Sequence, residues 1–350
     1  MDIYVLNKNF EKIGVIDFCS SVIWTKRYCN EGDCELYLPA DEEALNLLKV
    51  GRFLRREDSN GGLMLIISVS VDSDIEDGNF LTVKGLGTEH LIANRIIWSQ
   101  TTLSGTVGDC VSELLYDNLI NPSDENRRMD LFDILDTSEG TESVTKQYTG
   151  DNLLAAVIEL LNTFQLGFSV NFDGQKLGFL IYRGIDRSFR QNQNSFVVFS
   201  PEYDNFLNSS SSESIENFKN VALVAGEGEG SARKKAEVGT ATGLDRVEIF
   251  VDAKDISSTT TGGTLSDEEY TELLKEKGLA TLAESRISFS YDGEILPEVT
   301  FIYGIDYDLG DIVETIDFYG NQNACRITEI IESWDENGYT IIPTFEIEEE

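Results

Sequence analysis

The sequence contains a single histidine, the residue type most often used for acid–base catalysis near neutral pH. His90 stands in the run Gly87-Thr88-Glu89-His90-Leu91. A Ser-His-Asp or Cys-His catalytic group requires the base beside its nucleophile, and no nucleophile-elbow pattern surrounds this histidine. A His-Glu-x-x-His zinc protease site requires two histidines. We therefore expect His90 to be a structural or surface residue, and we predict that the chain has no catalytic residues and is not an enzyme.

A glycine-rich run resembles a phosphate-binding loop. Gly226, Gly228 and Gly230 follow the apolar residues 221–225, as glycines do in turns that bind dinucleotide phosphates. The third glycine comes one position too early for that fingerprint, and two glutamates would face the pyrophosphate. No Walker sequence is present. We interpret the run as a hairpin or loop, and we predict no cofactor.

The run from Asp72 to Gly78 resembles a calcium-binding loop. An EF-hand requires glycine at the sixth position and glutamate at the twelfth. Asp77 and Val83 occupy those positions here. We therefore predict an acidic turn between two strands, and no metal site.

The cysteines are odd in number, far apart and without a Cys-x-x-Cys pair. They are Cys19, Cys29, Cys34, Cys110 and Cys325. This spacing favours neither a disulfide framework nor a zinc site, so we expect small buried apolar side chains. Residues 1–10 have no signal-peptide pattern, and no run of 18 apolar residues is present. The chain is thus expected to fold in a cytoplasm without a membrane span.

The charge balance is strongly acidic, with 27 basic against 63 acidic residues and a net charge of −36. Binding of duplex nucleic acid requires a basic face. The two dense basic clusters, 52–56 and 233–235, are both flanked by acids. We therefore predict no specific nucleic-acid binding, because an acidic surface repels anions and keeps a protein in solution. Paired carboxylates for glycoside hydrolysis are available among so many acids, but nothing selects a pair.

The elements that must position these residues are mostly short strands. Residues 1–98 contain five β-branched or aromatic runs separated by turns, and one helix follows Pro39. Apolar residues at helical spacing mark two helices, over 107–119 and 151–164, and two strands follow them. After the serines 209–212 the strand pattern returns with one long helix from Ser266 to Arg286, opened by a capping box.

This order predicts a mainly β protein with an α/β insertion. We predict a first β-barrel domain over 1–100, an inserted α/β lobe over 101–183, connecting strands over 184–218 and a second β-barrel domain over 219–350. Each barrel is expected to have one flanking helix.

Several short motifs resemble those of a known family. They are GIDRS at 184–188, FSPEYDN at 199–205, KNVALVAGEG at 219–228, GLDRVEIFVD at 243–252, YDLGDIV at 307–313 and RITEI at 326–330. WTKRY at 24–28, Gly32, Glu35-Leu36 and LIANRII at 91–97 also fit. In this order they resemble the hub protein of siphophage-type tails, the family that includes the N-terminal hub region of tail-associated lysins. The resemblance covers nearly the whole chain.

The resemblance implies a homotrimer at the distal end of the tail tube, assembled in the bacterial host and located at the virion tail tip or baseplate. Its two tail-tube-like barrels, present three times, would match a six-fold tube. The implied partners are distal tail and tube proteins, the tape-measure protein, and tip or fibre proteins. DNA would only pass through, along an acidic channel wall that repels it.

Family members often continue into a C-terminal peptidase, glycosidase or fibre-attachment region. This chain stops at Glu350, so lytic or receptor-binding activity is expected in another protein. A secreted carbohydrate-binding or glycoside-hydrolase β protein is the main alternative, and a β-rich subunit from elsewhere in a particle is another. Siphophage, contractile phage and bacteriocin-like particles all stay open.

Overall fold

A computed structural model describes residues 1–57, 62–74, 78–260, 263–286, 288–295 and 300–348. The protein is mainly β, as the sequence predicts. Within the described residues it has 23 strands and five α-helices, and 13 of those strands belong to one large sheet. None of the described helices is long and apolar enough to cross a membrane.

The first strand region contains seven antiparallel strands in the spatial order β3-β4-β7-β6-β5-β1-β2. They are β1 (Ile3–Leu6), β2 (Lys12–Ile16), β3 (Ser21–Arg27), β4 (Asp33–Pro39), β5 (Phe53–Arg56), β6 (Met64–Asp74) and β7 (Gly78–Gly87). Alternate residues point inward, so that Trp24, Leu36 and Val83 are fully buried. The predicted helix is α1 (Glu42–Leu47), and it begins where Asp41 accepts a 2.7 Å hydrogen bond from the Ala44 N–H.

The α/β lobe follows the short helix α2 (His90–Ala93). Its elements are β8 (Thr101–Thr106), α3 (Val107–Leu115), β9 (Phe132–Asp136), β10 (Ser143–Tyr148), α4 (Leu153–Thr163), β11 (Gly167–Phe172) and β12 (Leu177–Tyr182). Both long helices begin at side-chain caps, Thr106 and Asn152. Helix α3 continues as one π-helical turn, Tyr116–Ile120. The leucines of α3 and α4 form the centre of the largest apolar core.

A second segment, residues 221–284, separates two strands of the large sheet along the chain, and we call it the inserted unit. After β13 (Val198–Phe199) and β14 (Phe206–Ser214), the chain forms β15 (Val221–Ala225), β16 (Lys235–Val238), β17 (Glu248–Asp252), β18 (Thr259–Thr260), β19 (Gly263–Thr264) and α5 (Asp267–Glu284). The capping box that opens α5 is present, with Ser266 and Glu269 exchanging hydrogen bonds. Gly278 lets α5 pack closely on β15 and β16, because a Cβ there would lie 2.8 Å from methyl groups of Val224 and Val238.

The second strand region combines β13 and β14 with four later strands. These are β20 (Ser288–Ile295), β21 (Ile312–Ile316), β22 (Gln322–Asp335) and β23 (Gly338–Ile347). Residue 287, which immediately precedes β20, lies outside the described residues. Residues of the range 219–350 contribute to two apolar cores, one around Tyr270 and one around Phe345, which also contains the earlier residue Phe199.

The two strand regions are joined through β3 and β22, which pair antiparallel from Arg27 with Glu329 to Val22 with Trp334. The described pairings run in an open order from β14 to β2. Closure into two separate barrels, and the predicted domain boundaries, therefore stay predictions.

Candidate functional site at the junction of the two strand regions

Strand β22 belongs to both strand regions because it is long and irregular. Its first half pairs with β21, from Gln322 to Arg326, and its second half pairs with β3. Between Ile327 and Glu329 its register against β23 shifts by one residue. Such a bulge bends a strand and increases its twist, and β22 pairs with β21 before the bulge and with β3 after it.

A buried ion pair crosses the junction. Arg56 of β5 donates to both carboxylate oxygens of Glu332 on β22, at 2.8 and 3.0 Å, and each side chain is 4% exposed. The Tyr339 hydroxyl donates to the same carboxylate at 2.9 Å. The Arg56 guanidinium lies 5.4 Å from the centre of the Trp24 ring and 4.3 Å from that of Trp334. Burying two charges is costly unless both are paired and hydrogen-bonded, and this geometry meets both conditions.

The exposed rim of the junction carries a second ionic contact. Arg27 lies 2.6 Å from Asp33 and 2.6 Å from Glu329, with about a third of its side chain exposed. The first pair lies within the first strand region, and the second crosses to β22. Because solvent screens partly exposed ion pairs, we expect this contact to stabilise the junction less than the Arg56–Glu332 pair does.

Two of the segments that resembled the hub family meet beside the first half of β22, where β21 pairs with it. Asp311 accepts a hydrogen bond from the Ile185 N–H at 2.7 Å and one from Arg187 at 2.7 Å. A Cβ on Gly184 would lie 1.8 Å from the carbonyl oxygen of Gly310. The GIDRS and YDLGDIV segments are therefore in direct backbone contact, which requires glycine at this position.

A cavity of about 610 Å³ lies where the first strand region, the lobe and the second strand region meet. Residues from all three units line it, including Trp24, Val170 and Tyr303. The buried Trp24 Nε1 has no hydrogen-bond partner among the described residues. The Glu89 carboxylate also lines the cavity, and it accepts a 3.3 Å hydrogen bond from the Val170 N–H. Burial raises the pKa of Glu89 to about 7.

The single histidine of the sequence lies beside a carboxylate. His90 contacts Glu31, with Nδ1 2.7 Å from a carboxylate oxygen, and its side chain is about 29% exposed. Its ring partner is thus a carboxylate rather than a hydroxyl or thiol, which is an arrangement without a nucleophile.

The glycine-rich run connects β15 to the antiparallel strand β16. Its Glu227 carboxylate accepts hydrogen bonds from the hydroxyls of Ser257 and Ser258, at 2.9 and 2.6 Å. The Glu227 N–H donates to the Tyr270 hydroxyl, and Arg233 donates to the Gly226 carbonyl. The loop is therefore bonded to its own chain, as expected for the connection of a hairpin.

The acidic run at 72–78 lies at the β6–β7 connection, but residues 75–77 lie outside the described residues. In the described part of the chain, no three His, Cys, Asp or Glu side chains stand close enough together to hold a metal ion. All five cysteines are free thiols, and three of them are buried.

The comparisons with known proteins agree with this architecture. A family model of the Siphovirus ReqiPepy6 Gp37-like proteins matches residues 2–345. The chain belongs to this family. The resemblance read from the sequence is thereby confirmed at the level of a siphovirus family.

Solved structures show the fold of this family member. It is similar to a tail protein from Neisseria meningitidis MC58, with a TM-score of 0.60 and 11% identity over 98% of this chain and 95% of that one. The prophage MuSo2 43 kDa tail protein from Shewanella oneidensis gives 0.60 and 11% over 99% and 98%. Prophage tail protein gp18 from Listeria monocytogenes EGD-e gives 0.57 and 13% over 98% and 94%. No protein of curated function matches the sequence. The chain therefore has the fold of phage tail proteins.

Sequence reasoning missed the Arg56–Glu332 pair in this family member. In the sequence, Arg56 belongs to the basic cluster 52–56, and no motif singles out Glu332. The alternation of the strand could have indicated the pair. Residues two positions apart in a strand lie on the same face, and Glu332 is buried on the same face as Ile330. An acid on the inward phase of a strand requires a buried partner.

Proposed function

We propose that the protein is a structural hub subunit of a phage tail tip or baseplate, and not an enzyme. Three copies form a ring that joins the six-fold tail tube to the tip and surrounds the DNA exit channel. Its partners are distal tube proteins, the tape-measure protein, and tip or fibre proteins. It acts in the virion tail after assembly in the bacterial host.

The observation that carries this proposal is the continuity of the two strand regions. Each chain contributes two β-rich units joined by β3–β22 pairing and by the buried Arg56–Glu332 pair. Three such chains present six β-rich units, which matches the symmetry of a six-fold tube. A ring with this role requires the two units of one chain to keep a fixed relation, and a paired sheet with a buried ion pair supports that requirement.

The acid surplus supports the channel part of the proposal. A closed ring of three copies brings together chains that each carry a net charge of −36. Acidic side chains that surround a narrow channel raise the electrostatic field inside it. Exposed charges further apart than about 8 Å are largely screened at physiological salt. Acids along a narrow channel therefore act on DNA more strongly than acids scattered outside, and they prevent its adhesion during passage.

The mass of the purified protein in solution tests the ring. Light scattering behind size-exclusion chromatography is expected to give about 117 kDa, three times the 39.1 kDa of one chain. Adding purified tail tubes should shift the protein into the tube fraction, and electron microscopy should place it at one tube end. A mass of one chain at every concentration, or hydrolysis of peptidoglycan by the isolated protein, would contradict the proposal.

A further inference from the structure

A small cationic and aromatic surface lies at the edge of the lobe, which we call the Trp98 patch. It comprises Arg95, Ile96, Trp98 and Arg127. The Trp98 side chain is 63% exposed and Ile96 is 48% exposed. The Arg127 guanidinium lies 4.6 Å from the centre of the Trp98 ring, within the range of a cation–π contact. A large indole is thus held at the surface beside a positive charge.

Neutral oxygens hold the two arginines of the patch in place. Arg127 donates to the Ile96 carbonyl at 2.7 Å and to the Asn118 side-chain oxygen at 3.4 Å. Arg95 donates to the Arg127 carbonyl at 2.8 Å. Asn118 belongs to the π-helical turn that ends α3, and it is buried. The patch is therefore preorganised, which lowers the entropic cost of binding.

The positive charges of the patch lack a carboxylate partner in the described part of the chain. The ion pairs among the described residues all lie elsewhere, and none of them involves Arg95 or Arg127. Asp124 is the acid that acts on Arg127, but its carboxylate caps the turn at Asn126. Partial burial and the neighbouring charge of Arg95 lower the pKa of Arg127. A carboxylate placed between the two guanidiniums would relieve this repulsion.

The chemistry of the patch favours an acidic protein surface as its occupant. Trp and Arg are the residue types most enriched at the centres of interfaces, and two adjacent guanidiniums bind carboxylates well. A second copy of this chain, with 63 acidic residues, is such a surface. Copies that each carry −36 repel one another, so a stable ring requires places where cations of one copy meet acids of the next. In a three-fold ring the contacts are heterologous, and one patch can therefore bind a different surface of its neighbour.

We propose that the Trp98 patch is a contact between copies of the chain, in which Arg95 and Arg127 bind a carboxylate of the neighbouring copy and Trp98 packs against it. The inference rests on the proposed ring and names a surface that closes it.

Two variants with matched controls test the patch. Trp98→Ala removes the exposed ring, and the double variant Arg95→Ala/Arg127→Ala removes the charges. The controls are Phe318→Ala, whose side chain is 68% exposed, and Arg128→Ala, whose ion pair with Asp130 is exposed. Circular dichroism identifies variants that fold, and Trp98→Ala keeps the test open if the double variant unfolds. Light scattering over a dilution series measures the dissociation of the trimer.

We expect each folded patch variant to dissociate at a concentration about tenfold or more above that of the wild type, while the two controls stay within about threefold. A trimeric wild type with unaffected patch variants overturns the inference and leaves the ring standing. A wild type that stays monomeric overturns both. The inference is also overturned if the patch variants stay trimeric but no longer bind a labelled oligonucleotide that the wild type binds. The patch would then be a contact for nucleic acid.

Discussion

Removing the acid of the buried ion pair is expected to destabilise the junction strongly. Glu332→Ala removes the carboxylate that pairs with the buried Arg56 guanidinium, whose side chain is 4% exposed, and it removes the acceptor of the Tyr339 hydroxyl. Breaking one side of a buried pair costs about 3–5 kcal/mol, and an orphaned hydroxyl costs about 1–3 kcal/mol. The two losses share a single carboxylate, so they do not add. We expect a total loss of about 3–5 kcal/mol in the free energy of unfolding.

Tryptophan emission during urea unfolding measures the loss in the free energy of unfolding with a probe that lies next to the buried ion pair. Two of the three tryptophans, Trp24 and Trp334, flank Arg56. A Trp98→Phe background removes the third, so that the emission reports the junction alone. The free energy of unfolding follows from the linear dependence on urea concentration.

Two further variants decide whether the charge is the cause. Glu272→Ala removes an exposed pair with Lys275 on α5 and should cost less than about 0.5 kcal/mol. The double variant Arg56→Met/Glu332→Leu removes both buried charges and should recover most of the loss. A Glu332→Ala variant within about 1 kcal/mol of the wild type would refute the reasoning. A double variant no more stable than the single one would refute it too.

Three further predictions concern Glu89, His90 and two buried cysteines. Burial raises the pKa of Glu89 from 4.5 to about 7, so the folded state favours the protonated form and the free energy of unfolding should fall as pH rises from about 4.5 to 7. Urea midpoints measured over this pH range should show the decline in the wild type and not in Glu89→Gln, and an equal decline in both would contradict the prediction. His90→Ala should lose only its contact with Glu31, about 1 kcal/mol or less, and should leave tail assembly intact, whereas loss of a peptidoglycan-cleaving activity would oppose the structural role. Burial raises the pKa of the Cys34 thiol to about 12 and that of the Cys325 thiol to about 11, so Ellman's reagent at pH 8 should modify neither thiol in the native protein and both after unfolding. Rapid modification of either thiol in the native protein would contradict its burial.

The helices were predictable because their signals are local. The Ser266 capping box, the acidic first turn after Asp41 and the apolar spacing of α3 and α4 all lie within a few residues of the structure they specify. The strands were also recognisable as strands. Their partners were not, because period-two alternation tells which face is buried but not which strand lies alongside.

The inserted unit shows the limit of local pattern most clearly. Residues 221–252 alternate and end in turns in the same way as the strands of the large sheet. The parallel pairing of β15 with β17 gives them a separate sheet, and α5 covers it. Nothing in the strands themselves distinguishes a three-stranded sheet with its own helix from strands of the large sheet, so this separate pairing could not be predicted from the sequence.

The junction depends on contacts that no local pattern contains. Arg27 and Glu329 are 302 positions apart in the chain, and Arg56 and Glu332 are 276 apart. The chain between these partners runs through the lobe and the inserted unit, and covalent connection through two other units does not fix the relation of the first strand region to the second. That relation is fixed by six residue pairs of β3 and β22 and by one buried carboxylate. Loss of the Glu332 carboxylate is therefore expected to weaken the contact between the two strand regions more than the packing inside either one.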